Sequence, residues 1–285
     1  MSGRGQGSAV GGRLYIVSTP IGNMRDITLR ALDVLRAVPL VAAEDTRLTR
    51  RLWIRHGIST RLLSYHARSP GARRDELLAH LAAGSDLALV TDAGTPLVSD
   101  PGNELVAAWA ERGGTVVPIP GASAALAALV ASGLPQARWS FEGFLPRRGA
   151  ERRARLQRIR ADERTTIIFE APGRAAATLR DLTEACGTDR PAALARELTK
   201  LHEEIWRGNV GELSARAAEM PPRGEVTIVI AGASELVKAE PSMSVQDARR
   251  EVDRLAAEGL PRSSAAREVA GRTGLPRREL FRPER

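Results

Sequence analysis

Cysteine occurs once in this sequence, at Cys186, so no disulfide can close within the chain. A single thiol suits a reducing setting, and a cytoplasmic protein is expected. Histidine is nearly as rare: His56, His66, His80 and His202 are scattered without the spacing of a metal site, and no resident metal is expected. Neither a P-loop nor a G-x-S-x-G elbow is present. Gly3, Gly5 and Gly7 precede the first strand pattern instead of following it, which excludes a dinucleotide fingerprint. The longest apolar helical run, residues 122–131, is too short to cross a bilayer, so no membrane association is expected. Residues 1–12 lack the apolar core of a signal peptide and read as a disordered tail. Lysine is scarce as well, with only Lys200 and Lys238 among 42 basic residues.

What is abundant is arginine, and the formal net charge is +8. Pro146 to Arg164 holds eight Arg against three acids, and Met243 to Arg285 holds ten against seven. These two excesses equal that of the whole chain. Planar guanidinium groups suit bidentate contact with phosphate, so a polyanionic partner such as RNA is expected.

Residues 13–122 alternate short apolar runs with helical periodicity, the pattern of a mostly parallel α/β sheet. Leu14–Ser18, Leu40–Ala43, Leu62–His66, Leu87–Thr91 and Thr115–Ile119 read as its strands. Asp26 and Thr28 both suit the cap of the first helix. Three loops at strand ends carry the chemistry. Thr19-Pro20-Ile21-Gly22-Asn23 follows the first strand, Asp92-Ala93-Gly94-Thr95-Pro96 the fourth, and Pro120-Gly121-Ala122-Ser123-Ala124 the fifth. Open α/β sheets bind ligands at such ends. Asp100-Pro101-Gly102 reads as the start of the next helix, capped by Asp100.

Residues 123–233 mix strand candidates with a polar, edge-like run at His202–Arg207, which implies a second lobe with a mixed sheet. Residues 234–243 read as a linker, and 244–285 as three short helices with basic faces, a helix-turn-helix-like RNA-binding module.

STPIGNMRDIT, AEDTR, TDAGTPLVSDPG, PIPGASAA, FEGFLPRRG, FEAPGR, ARELTKLHEE and GEVTIVIAG occur in one order between Leu14 and Gly232. The set resembles the tetrapyrrole methylase superfamily, and within it the branch that methylates ribosomal RNA. The resemblance implies a two-lobed enzyme, commonly a homodimer, that uses S-adenosyl-L-methionine to 2'-O-methylate a decoding-centre cytidine of 16S rRNA in the 30S subunit. Carried over by motif, it implies cofactor contacts from Pro20, from Asp92, Ala93, Gly94, Thr95 and Val98, and from Ser123 and Ala124. Phe169, Glu170, Ala171 and Thr227 would enclose the adenine.

A ribose hydroxyl is a very weak acid, so a base or an anion-stabilising group should assist the transfer. Glu44, Asp45, Arg47, Glu197 and Lys200 are the candidates. Asp45 reads equally well as a helix cap, and Lys200 as a phosphate contact. Two other functions fit part of the pattern. Carbon methylation of a porphyrin-like macrocycle fits the lobes without the basic tail, and a non-catalytic RNA-binding protein fits the tail alone.

Overall fold

The computed structural model describes residues 10–233, 244–273, 275 and 277–281. The expected linker at 234–243 and residues 1–9 of the expected tail lie outside them. The first lobe runs β1 (Val10–Val17), α1 (Leu29–Ala37), β2 (Leu40–Ala43), α2 (Thr46–His56), β3 (Arg61–Ser64), α3 (Gly71–Ala82), β4 (Leu87–Val90), α4 (Asn103–Glu111) and β5 (Gly114–Ile119). Strand β1 begins inside the expected tail, because Val10 pairs with Gly114 before a register shift at Arg13.

The first sheet is parallel, in the order β3-β2-β4-β1-β5. Side chains alternate across it. Val41, Ala43, Ala88 and Val90 pack with α1 and α2 on one face, and Leu40, Ala42, Leu87 and Leu89 with α3 and α4 on the other. Each fully buried Leu contributes about 1.5–3 kcal/mol, which makes β2 and β4 rigid mounts for the loops that leave them.

The chain then crosses to the second lobe. It comprises α5 (Ala124–Ser132), β6 (Trp139–Phe144), α6 (Ala150–Ala161), β7 (Thr165–Glu170), α7 (Pro172–Cys186), β8 (Pro191–Arg196), β9 (Glu204–Asn209), α8 (Val210–Glu219) and β10 (Val226–Ile230). The second sheet is mixed, β6-β7-β10-β8-β9, parallel only between β6 and β7. Its polar strand β9 lies at the edge. Helix α5 packs beneath this sheet with Ile167, Ala195 and Val229, and Ile21 of the first lobe joins the same core. The lobes therefore share apolar packing at the mouth of the first loop. Helices α9 (Val245–Ala257), α10 (Arg262–Thr273) and α11 (Arg277–Leu280) close around a small core of their own that includes Val252, Val269 and Leu280.

In the sequence, helix α2 shows only through the reading of Asp45 as a helix cap, and Asp45 does cap it. Two other expected caps differ. Thr28 caps α1, its Oγ1 accepting from Ala31 N–H at 3.1 Å, whereas Asp26 sits in a separate 3-10 turn. Helix α4 starts after Gly102 without a side-chain cap. The loop ahead of it passes through left-handed conformations at Leu97 and Ser99, and Asp100 lines the cleft described below instead of capping the helix.

Candidate active site

The three loops are stitched together. Thr19 and Gly94 exchange backbone hydrogen bonds of 2.9 and 3.0 Å, joining the loop after β1 to the loop after β4. Gly94 adopts φ +83, a conformation that side chains disfavour, and this lets both of its polar groups face Thr19. Thr95 Oγ1 donates to the carbonyl of Ala122 at 3.2 Å and lies 3.0 Å from Ser18 Oγ, which adds the loop after β5.

Above this knot lies a cleft of about 430 Å³ between the lobes. It is lined by Asp92, Ala93, Gly94, Thr95, Val98, Ser123 and Ala124 from the stretches that follow β4 and β5, and by Phe169, Glu170, Ala171 and Thr227 on and just beyond the strands of the second sheet. Thr227 and Phe169 are direct partners in the β10–β7 ladder, so one register fixes that wall. Glu44 lines the cleft as well. Pro20 and Lys200 line a smaller neighbouring cleft, while Asp45 and Arg47 border neither.

Several lining residues are not among the site candidates of the sequence, namely Ile21, Asp100, Phe144 and Glu225. Phe144 follows a bulge in β6 and packs against Phe169 with ring centres 5.7 Å apart. An aromatic residue at the end of the strand pattern WSFEGF, where a ligand-lining position is expected, is the available signal. Asp100 had been assigned to capping.

Five carboxylate residues line this cleft, and three of them, Glu44, Asp92 and Asp100, lie close enough together to influence one another. Glu44 Oε2 accepts from Thr91 Oγ1 at 2.7 Å, and Asp92 Oδ1 accepts from the backbone N–H of Asp45. Burial raises the Asp92 carboxyl, against the hydrogen bond from Asp45 and with help from the charge of Glu44. Asp100 is raised to about 6, chiefly by burial; the nearby Thr91 side chain opposes the shift, and the charges of Glu44 and Asp92 add to it. Such a concentration of negative charge favours a cationic ligand.

The other titratable candidates are committed elsewhere. Asp45 caps α2 by accepting from Arg47 N–H at 2.8 Å, and its hydrogen bonds with the Arg47 guanidinium hold its carboxyl at about 2. Glu170 spends its carboxylate on Thr178 Oγ1 at 2.6 Å and on Arg174. Lys200 Nζ donates to Glu197 Oε1 at 2.9 Å and Glu225 Oε2 at 3.1 Å. Burial pulls the Lys200 pKa down, but these carboxylates outweigh it and leave it raised, so the group is a fixed cation.

The Lys200 loop also clasps the lobes together. Thr199 Oγ1 accepts from Asn23 N–H at 3.0 Å. Gly22 fits beneath it so closely that a Cβ there would lie 2.5 Å from Lys200 Cγ. Among the described residues no group of acids, histidines and cysteines is arranged to hold a metal, and no helix is long and apolar enough to cross a membrane.

Residues 13–214 match the family model for Tetrapyrrole (Corrin/Porphyrin) Methylases, and residues 243–282 match the RsmI C-terminal HTH domain. A relative from Synechocystis, named ribosomal RNA small subunit methyltransferase I, is 49% identical over 95% of this chain and 96% of its own length. Another of that name, from Micromonospora olivasterospora, is 48% identical over 95% of this chain and 85% of its own. In fold, the chain is similar to uroporphyrin-III C-methyl transferase from Thermus thermophilus, solved with S-adenyl homocysteine. That likeness has a TM-score of 0.56 at 19% identity and covers 79% of this chain and 100% of the other. Near-complete overlap with these relatives and the match to the family model, on a chain of two lobes that share one cleft, place it in the ribosomal RNA small subunit methyltransferase I family, within the tetrapyrrole methylases.

Proposed function

We propose that this chain is a 16S rRNA (cytidine-2'-O)-methyltransferase. It transfers a methyl group from S-adenosyl-L-methionine to the ribose of a decoding-centre cytidine, acts on the 30S subunit or its rRNA in the cytoplasm, and works as a homodimer. The observation that carries this reading is the meeting of three stitched loops at one cleft, with the carboxylates of Glu44, Asp92 and Asp100 clustered on its wall.

That cleft suits the cofactor. Its volume of about 430 Å³ falls within the roughly 300–1,000 Å³ usual for small-molecule sites. Glu44, Asp92 and Asp100 supply negative charge for a sulfonium and an ammonium, and Phe144 with Phe169 supplies an apolar wall for adenine. S-adenosylmethionine, when bound, brings a methyl group already activated by positive sulfur. The task left to the chain is to align the acceptor and to support the charge that grows on its oxygen. Lys200 is the cation placed for the second task. Asp45, held at about 2 by Arg47, is unsuited to take a proton near neutral pH. Among these carboxyls, Asp100 at about 6 has a proton affinity closer to neutrality.

Names of the relatives support the rRNA substrate, and the basic terminal helices support RNA contact. Family resemblance supports the homodimer, to which Leu126 and Val130, exposed one turn apart on α5, offer an apolar face. Light scattering at micromolar concentration should give twice the chain mass. The activity is tested by incubating the protein with methyl-labelled cofactor and 30S particles, with uroporphyrinogen as the competing acceptor. Label should enter one ribose of 16S rRNA. Greater incorporation into the macrocycle, or no cofactor binding by calorimetry, overturns the reading.

A further inference from the structure

The smaller cleft, about 210 Å³, shares Ile21, Thr91, Asp92, Ala93 and Glu225 with the larger one. A methyl group can pass between two sites only where reacting atoms come within about 3–3.5 Å, so the acceptor must occupy space walled by the same residues as the donor. The arginine-lined groove at Arg147, Arg148 and Arg153, of about 450 Å³, shares none of them.

Helix α2 forms the outer side of the smaller cleft through Leu48, Thr49, Arg51 and Leu52. Its sequence, TRLTRRLWIRH, holds four Arg and no acid. Residues four apart share a helix face, which puts Arg47, Arg51 and Arg55 in a row at intervals of about 6 Å along the axis. Arg47 is paired with Asp45, whereas Arg51 and Arg55 have no carboxylate partner among the described residues. Met24 and Leu48 line the same cleft and leave apolar side chains partly in solvent, as a surface for a base to rest on. On the inner side Lys200 spends two of its three donors on Glu197 and Glu225.

Building on the activity proposed above, we infer that this smaller cleft is the acceptor site. It takes one nucleotide of a single-stranded RNA segment, its ribose against Asp92 and Ala93, its base beside Met24 and Leu48, and its neighbouring phosphates on Arg51 and Arg55. Cations in a row outside an apolar slot, with another at the donor wall, match a phosphodiester strand that offers one unstacked base.

The test compares wild type with the double variant Arg51→Glu/Arg55→Glu and the single variant Arg51→Gln. Methyl transfer gives KM for 30S particles, filter retention without cofactor gives 30S affinity, and calorimetry gives cofactor affinity. The double variant should raise KM for 30S about fivefold or more and flatten the salt dependence of 30S binding by roughly two in log–log slope, with cofactor affinity unchanged. A smaller rise in KM overturns the acceptor site. Should the double variant lose cofactor affinity through misfolding, Arg51→Gln decides, with a rise in KM of about twofold or more expected and no rise overturning the inference. Absence of transfer by wild type would instead sink the activity itself, and the filter-binding comparison would still decide whether α2 holds RNA.

Discussion

The backbone N–H of Asp45 donates to Oδ1 of Asp92 at 2.9 Å, tying the end of β2 to the end of its neighbour β4. Asp92 borders both clefts, so its carboxylate positions one wall for two ligands at once. Replacing it by Ala should lower kcat/KM for methyl transfer on the order of a hundredfold, the usual cost of misaligning reactants. Asp26→Ala, in an exposed turn, should change it less than about twofold. Steady-state kinetics on 30S particles decides, and the reverse order would move the site away from β4.

A pH dependence follows from Asp100. Burial lifts its carboxyl from 3.8 to about 6, so the folded chain holds this proton more tightly than the unfolded one. Folding then takes up a proton between about pH 4 and 6, and the contribution of Asp100 to stability falls as pH rises through that window. Asp100→Asn removes the titration while keeping the shape. Its melting temperature should exceed that of wild type by about 1–3 °C at pH 7.5 and match it near pH 4, as read by calorimetry. A lower melting temperature at pH 7.5 contradicts the assignment.

Gly22 lies where the lobes touch, with Lys200 Cγ, Thr199 Oγ1 and the Leu198 carbonyl all crowding the space that a Cβ would fill. Gly22→Val should cost about 1–3 kcal/mol by overpacking and push the Lys200 loop outward. Thermal unfolding reads the first effect, and a rise in KM for 30S greater than that for cofactor reads the second.

Removal of residues 243–285 should weaken 30S binding and reduce its salt dependence while leaving cofactor affinity intact. Helices α9 to α11 bury their apolar residues against one another, so their loss uncovers none of that core on the lobes. Filter binding across a salt series checks this, and an unchanged slope counts against an RNA-binding role.

Strands are legible because both faces of β2, β4 and β10 are buried and their sequences are apolar except for Thr227. Helix α2 was obscured because only Thr49, Leu52 and Trp53 of its eleven residues are buried, too few to set a period. Of its four arginines only Arg47 stands out in the sequence, as a site candidate, and a charge count over long segments passes over the arginine row. Asp100 was misplaced because Asp-Pro-Gly has the local chemistry of a cap, while left-handed turns at Leu97 and Ser99 send its carboxyl into the cleft instead. Loop residues around Gly94 were legible through their motif, but no local rule reveals that Thr19 bridges to Gly94 across 75 positions.

Each sheet is built from one continuous stretch, residues 10–119 for the first and 139–230 for the second. During synthesis the first lobe can finish its strand pairing while the second is still being made, since domains fold as units in the order they emerge. Thr227, on the last strand of the second sheet, completes the cleft wall. A nascent chain therefore acquires its grip on the methyl donor late, after nearly the whole catalytic body has left the ribosome, so truncated products would be folded in part yet idle.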